Sequence, residues 1–346
     1  MTSWYGPALG EDERDLARLL DTVAADRETP LTDDPALVAE LVGELAALGV
    51  WTVAADEAHG GGGAGRAAAV VVWERLGRHW PALGWASVQA HAALAALAVA
   101  GADGAAGGIG AAGATGALDL AGGLHKGTEA VAVVDLAAPH ARLDVAAGTA
   151  RGRVARVDAA HPAPHLLLLR DGQCLLVRAQ AVRYAPVART GLDGALTRSA
   201  EIDGPCAELT GAPAGDVRAI LRLGGAAVAA GIAGAAADAA VAYTRERRQF
   251  GGPLIDLPTV RRSVADQKSW VRTTLAAVCG ADESPLAAAA LLRHAADGAI
   301  EVAAAALQAH GGYGYLTEYP VERHLRDAVS LRAATAGHRA DSVEET

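Results

Sequence analysis

From Leu223 to Tyr243 the chain consists mostly of Ala and Gly, interrupted by one charged residue, Asp238. Alanine has the strongest intrinsic preference for helix, so the run predicts a long helix. Its Gly content and its Asp make it a poor membrane span and a good core helix. Aromatic residues make up only 4% of the 346 residues, with a single Phe. A core without large rings must be filled by Ala, Leu and Val at short helix–helix distances, so the first expectation is an Ala-rich helical protein.

Charge and cysteine content narrow the classes further. The formal net charge is -10, and Lys occurs only at Lys126 and Lys268. No basic face announces itself, and nucleic acid is not an expected partner. Cys174, Cys206 and Cys279 lie far apart with no CxxC or Cys/His spacing, which predicts neither a disulfide framework nor a zinc site and fits a reducing cytoplasm. The opening MTSWYGPALGEDERDL is acidic where an export signal needs a basic start and an apolar stretch. No membrane span is expected, and a cytoplasmic location is.

Apolar residues at three- and four-residue spacing from Glu11 to about Ala98 predict amphipathic helices. The stretch from Gly101 to Gly123 is Gly/Ala low-complexity and reads as a linker or weak capping segment. Short β-prone runs follow: AVAVVDL, ARLDVAAG, GRVARVD, HLLLLRD, QCLLVRA and AVRYAPV, separated by Asp, Gly and Pro. They predict an antiparallel β subdomain reaching to about Ala212. Helical patterns then return over Gly224–Thr244, Leu257–Cys279, Pro285–His310 and Tyr319–Ala334. The expected domains are residues 1–112 (helical), 113–212 (β) and 213–346 (helical bundle).

Two stretches are more specific than the rest. The first is YTRERRQFGGPL, Tyr243 to Leu254, and the second is QAHGGYGYLTEYPVERHLRDA, Gln308 to Ala328. Together they resemble the acyl-CoA dehydrogenase family, which implies a mostly α fold with N-terminal helices, a small and here shortened β-barrel-like middle domain, and a C-terminal four-helix bundle. The resemblance implies flavin adenine dinucleotide (FAD) as cofactor, with Arg247 reaching a flavin held mainly by another subunit. It puts Gln249 and Phe250 beside that cofactor and Gln308, Gly311 and Gly312 near its adenylate half. A planar guanidinium suits this role because it can pair two pyrophosphate oxygens at once. Arg222 matches an arginine near the family's substrate site. The alternative for Arg247 is an ion pair with Glu246 or Asp266.

The pattern also departs from the family. Its members take a proton from the carbon alpha to a thioester carbonyl with a glutamate, and the family's spacing lands here on Thr335, or in some members on the position of Leu221. Neither residue accepts a proton near neutral pH. In the middle domain the family's flavin-covering loop and its aromatic–hydroxyl pair correspond to Ala117–Gly123 and Arg156–Ala160, which lack those residue types. Asp119 and Asp158 are the acids near that region, and each reads more simply as a turn residue.

Other features take plain readings. Gly60–Gly65 satisfies GxGxxG formally but lacks a strand–helix–strand context and reads as a connection between helices. His161 and His165, in a loop with two prolines, set no metal geometry. Glu318, Glu322, Arg323, Arg326 and Asp327 form a charged cluster expected to fix helices and a subunit interface. The resemblance thus implies participation in FAD-dependent α,β-desaturation of an acyl thioester, as the partner of a homologous catalytic chain. The alternatives are a flavin-independent enzyme repurposed on this fold and a purely structural pseudoenzyme.

Overall fold

A computed structural model describes residues 3–27, 30–57, 60–104, 111–281, 284–316 and 318–338, with the side chains of residues 100–116 left aside. The helices are α1 (Glu11–Ala25), α2 (Pro35–Ala47), α3 (Arg66–His79), α4 (Pro81–Gly104), α5 (Ala111–Lys126), α6 (Ala214–Glu246), α7 (Pro258–Gly280), α8 (Pro285–His310) and α9 (Val321–Ala334). Between α5 and α6 lie strands β1 (Val131–Asp135), β2 (Ala141–Ala146), β3 (Thr149–Val157), β4 (His165–Arg170), β5 (Gln173–Val177), β6 (Val182–Pro186) and β7 (Arg198–Glu208). The order of helices, small sheet and helices is the one expected. The Gly101–Gly123 stretch is not simply a linker: its ends belong to α4 and α5, while residues 105–110 lie outside the described part.

Close packing of small residues explains the Ala/Gly composition. A Cβ at Gly231 of α6 would stand 2.1 Å from the Glu74 carbonyl oxygen of α3, and one at Gly77 of α3 would stand 2.3 Å from the Val228 carbonyl oxygen of α6. Backbone meets backbone there, and any side chain would force the helices apart. Asp238, the interruption in the apolar run, accepts hydrogen bonds from Arg78 Nη1 at 2.7 Å and Tyr5 Oη at 2.5 Å. Arg78 Nε also donates to buried Glu74 at 2.5 Å, so the acid in the core helix is one member of a paired network. By length and composition α6 and residues Pro81–Val99 of α4 could cross a membrane, but 83% of each apolar window is buried inside the protein.

The sheet has the order β1-β4-β5-β7-β3-β2, with β6 also on β7. It is not wholly antiparallel, because β1 pairs with β4 in parallel. β4 reads HLLLLR and is buried on both faces: Leu167 and Leu169 join the main helical core, and Leu166 and Leu168 join the sheet's own core. Burial on both sides is why that strand shows no polar alternation. β7 pairs with β6 up to Ile202, with β3 up to Pro205 and with β5 from Cys206 to Glu208, so one strand joins both halves of the curled sheet.

α9 ties the sheet domain to the bundle. Asp327 accepts the Leu192 N–H at 2.7 Å, and Ser330 Oγ accepts the Gly191 N–H at 2.9 Å. Arg326 pairs with Glu322 at 2.8 Å and donates to the Thr190 carbonyl. Gly61 and Gly62 pack on the backbone of Ala55 and Val53 ahead of α3, so their small size serves that turn. The three cysteines are free thiols.

Candidate functional site

The two motifs sit at the C-terminal ends of α6 and α8. α6 stops at Arg247, whose backbone is extended and whose carbonyl accepts the Leu254 N–H at 2.8 Å. Between these residues runs a two-residue hairpin, with β8 (Arg248–Gln249) paired to β9 (Gly252–Pro253). Its tip needs positive φ at both central residues, and Phe250 and Gly251 have φ of 53° and 86°. A bulky residue is uncommon in that region of backbone space. Phe250 is 85% exposed.

α8 ends where Gly311 takes φ 57°, and the chain turns through Gly311–Tyr315 towards α9. The rings of Tyr243 and His310 stack at 4.2 Å, and Tyr319 stands edge-on to both, at 5.7 and 5.6 Å. The Arg247 guanidinium lies 5.1 Å from the Tyr313 ring centroid. Among the described residues neither Glu246 nor Asp266 pairs with Arg247. Burial raises the Tyr243 hydroxyl above its usual range and lowers the His310 imidazole, whose Nδ1 lies 2.8 Å from the Ala306 carbonyl. Gln249, Gln308, Gly311 and Gly312 are exposed, and a Cβ at either glycine would meet nothing within 4 Å.

These aromatic partners were not singled out by sequence reasoning. The signal was present, since four of the six tyrosines (Tyr243, Tyr313, Tyr315 and Tyr319) fall within the motifs of a ring-poor chain.

The remaining candidates lie elsewhere. Arg222 is buried, its Nε donating to the His338 carbonyl at 3.0 Å and Nη1 to the Pro285 carbonyl at 2.8 Å. Leu221 and Thr335 are both fully buried, and Thr335 Oγ1 donates to the Leu331 carbonyl at 2.9 Å. A Cβ at Gly225 would touch Leu292, Trp85 and Thr335 at 3.0 to 3.5 Å, so the ground beside Thr335 is packed.

Ala117–Gly123 is part of α5 and not a loop of the sheet domain; the connection after β1 is Leu136–His140, with Gly337 packed on Ala138 and His140. Asp119 is exposed on α5. Asp158 is no turn residue exposed to water. Its carboxylate accepts Arg156 Nε at 2.6 Å and Thr197 Oγ1 at 2.5 Å, its carbonyl accepts Gln89, and Arg156 Nη2 reaches the Ser330 carbonyl of α9 at 3.2 Å. His165 is likewise buried, 3.1 Å from Glu129. No group of His, Cys, Asp and Glu suited to a metal ion occurs among the described residues.

Models of the acyl-CoA dehydrogenase N-terminal and C-terminal domains match residues 11–104 and 219–338. The chain belongs to the acyl-CoA dehydrogenase family. It is 42% identical over 114 residues to the short-chain-specific acyl-CoA dehydrogenase of Megasphaera elsdenii, and the matched segment spans 31% of this chain and 30% of that relative. A solved Tcur3481-Tcur3483 steroid ACAD G363A variant is similar at 26% identity and TM-score 0.73, over 96% of this chain and 95% of that one. A Mycobacterium smegmatis glutaryl-CoA dehydrogenase in complex with FADH2 shares the fold, with TM-score 0.75 at 16% identity, over 95% of this chain and 92% of that one.

Members of this family typically bind FAD. The outward-facing ends of α6 and α8 fit part of such a cofactor: among the described residues the Arg247 guanidinium meets the Tyr313 ring and no carboxylate, and Gly311 and Gly312 leave open space for backbone approach. The Arg156–Asp158 pair does not fit a flavin ring, because its polar atoms are already bonded to Thr197 and α9.

Proposed function

We propose that this chain is the non-catalytic subunit of a heteromeric, FAD-dependent acyl-CoA dehydrogenase. It lends Arg247, Gln249, Phe250, Gln308, Gly311 and Gly312 to FAD seated mainly on a homologous chain that carries the glutamate. When bound, FAD accepts the hydride that leaves the β carbon of an acyl thioester. The observation that carries this reading is an asymmetry. The motif residues converge on an exposed end of the bundle, with Arg247 lacking a carboxylate partner among the described residues, while the Arg156–Asp158 pair and α9 close the position assigned to this chain's own flavin ring.

The roles follow from the side chains. The Arg247 fork would pair two pyrophosphate oxygens, its plane steadied by Tyr313. Gly311 and Gly312 would let main-chain N–H groups approach the adenylate half, and exposed Gln308 and Gln249 would supply amide donors and acceptors at its edge. Phe250, held out at the hairpin tip, would cover an apolar part of the cofactor or the neighbouring subunit. Among the described residues the positions matched to the family's base are Thr335 and Leu221, which accords with a base carried by the partner. The related steroid ACAD bears a double chain name, which accords with an assembly of two different chains.

The test is the visible absorption spectrum of the chain purified alone and after co-expression with a homologous glutamate-bearing chain. A colourless chain that gives a yellow complex is expected. Flavin retained by the chain alone would overturn the proposal, as would a complex that stays colourless.

A further inference from the structure

Below the two motifs α6 and α8 meet through small residues, with Ala236, Ala240, Ala303 and Ala306 buried together. At the helix ends the contact changes to rings. The Tyr243 carbonyl accepts the Arg247 N–H at 2.9 Å, and the Tyr243 ring stacks on that of His310 at 4.2 Å and 23°. Tyr319, just ahead of α9, stands edge-on to both and lies 6.1 Å from the Tyr313 ring. Tyr313 in turn meets the Arg247 guanidinium at 5.1 Å. The contacts close a circuit from Arg247 through Tyr313, Tyr319 and Tyr243 back to Arg247, and His310 touches two of its rings.

His310 ties this circuit to α8. It is 3% exposed, it is the last residue of the helix, and the residue after it is Gly311. Its Nδ1 donates to the Ala306 carbonyl at 2.8 Å, which fixes the direction of the ring. Gly314 is buried over the same turn, where a Cβ would stand 2.9 Å from the Leu307 carbonyl oxygen and 3.1 Å from His310 Cβ. The stack thus holds the Gly311–Tyr315 turn and the end of α6 in one arrangement.

We propose that Tyr243, His310 and Tyr319 are positioning residues: they hold Arg247 at a set distance and angle from Gly311 and Gly312, so that a dinucleotide spanning both helix ends meets them already in place. The inference rests on the shared-flavin reading above. A ligand that contacts two helix ends at once must otherwise order them as it binds, and a prearranged pair removes that cost. Offset-stacked and edge-on rings are the preferred aromatic geometries and contribute beyond the area they bury.

The experiment changes the stack and leaves the cofactor-facing groups in place. In complex with the glutamate-bearing chain, His310→Leu should weaken flavin retention about 3- to 10-fold, the range of one aromatic pair, and His310→Phe should restore it to within about two-fold. Made on Arg247→Ala, His310→Leu should cost less than about two-fold, because the group it positions is gone. Tyr243→Leu, at a half-buried position, repeats the comparison from α6 if His310→Leu does not fold. Hydrogen exchange on the chain alone gives a readout without flavin. The Leu254 N–H, held by the Arg247 carbonyl at 2.8 Å, should lose protection in His310→Leu and keep it in His310→Phe. A colourless wild-type complex would overturn the shared-flavin reading and with it the purpose of the stack. Unchanged flavin retention in His310→Leu, an equal loss on the Arg247→Ala background, or unchanged exchange at Leu254 overturns the positioning role alone.

Discussion

The Arg247 guanidinium lies 5.1 Å from the centre of the Tyr313 ring, so the first motif touches the second and the two form one surface at the end of the bundle. Replacing Arg247 by Ala should weaken flavin retention in the assembled complex about 10- to 100-fold, the worth of charge-assisted hydrogen bonds at about 1.5–3 kcal/mol. Arg247→Lys should fall between, since it keeps the charge and loses the fork. Tyr313→Leu should cost only a few-fold, because an exposed cation–π contact contributes about 0.5–1 kcal/mol. Flavin titration of the three variant complexes gives the order. An Arg247→Ala complex with unaltered flavin content and turnover would instead favour the purely structural role.

Helix packing makes a separate prediction at Gly231. The Glu74 carbonyl oxygen lies 2.1 Å from where its Cβ would be, and that oxygen belongs to the α3 backbone and cannot rotate away. Gly231→Ala should therefore destabilise the chain by about 1–3 kcal/mol although Ala is the better helix former. Gly215→Ala, on the same helix with nothing within 4 Å, should be neutral or slightly stabilising. Urea denaturation of both variants separates packing from propensity.

Much of this architecture was legible because local pattern and tertiary role agree. The six β-prone runs became β1 to β6, and Pro285–His310 became α8. β7 escaped notice because its sequence, RSAEIDGPCAE, carries Gly204 and Pro205 where turns are expected, just before it passes from β3 to β5 at Cys206. α5 escaped because a Gly/Ala stretch holds too few large residues to show a period. At the site, the motif residues were readable one by one. The stack of Tyr243 on His310 and the reach of Arg156 to Ser330 join distant segments, and no spacing in one sequence encodes such contacts.

Buried imidazoles set the response to acid. Burial lowers His91 to about 4, and burial together with the nearby positive charge of Arg323 lowers His324 to about 3; burial also lowers His338. A lowered histidine is neutral in the fold and protonated in the unfolded chain, so its stability contribution, complete above pH 6.5, is lost as the pH falls towards 4. Asp327 acts oppositely: burial raises it to about 6, so its contribution is complete below its unfolded value near 3.8 and is lost as the pH rises through 6. At pH 5 three imidazoles take up protons on unfolding and Asp327 releases one, a net uptake of about two protons from these groups. The melting temperature should fall between pH 6.5 and 4, and Asp327→Asn should steepen that fall. A melting temperature independent of pH across this window would contradict the assignment.

The Arg156–Asp158 pair can be weighed against an exposed pair in the same sheet. Asp158 has a side chain 3% exposed and holds three elements together through Thr197, Gln89 and Arg156, and Arg156 itself reaches α9. Arg156→Ala would leave a buried carboxylate with the Thr197 hydroxyl as its remaining side-chain donor, at a cost of about 3 kcal/mol. The Arg151–Asp203 pair, 2.9 Å apart with side chains 73% and 78% exposed, gains little over water, and Arg151→Ala should change stability by less than about 1 kcal/mol. Because Arg156 Nη2 also reaches the Ser330 carbonyl, Arg156→Ala should loosen the contact between the sheet and α9. Denaturant midpoints give the first comparison. Hydrogen exchange at Gly191 and Leu192, whose N–H groups are held by Ser330 and Asp327, gives the second, and protection there should drop in Arg156→Ala but not in Arg151→Ala.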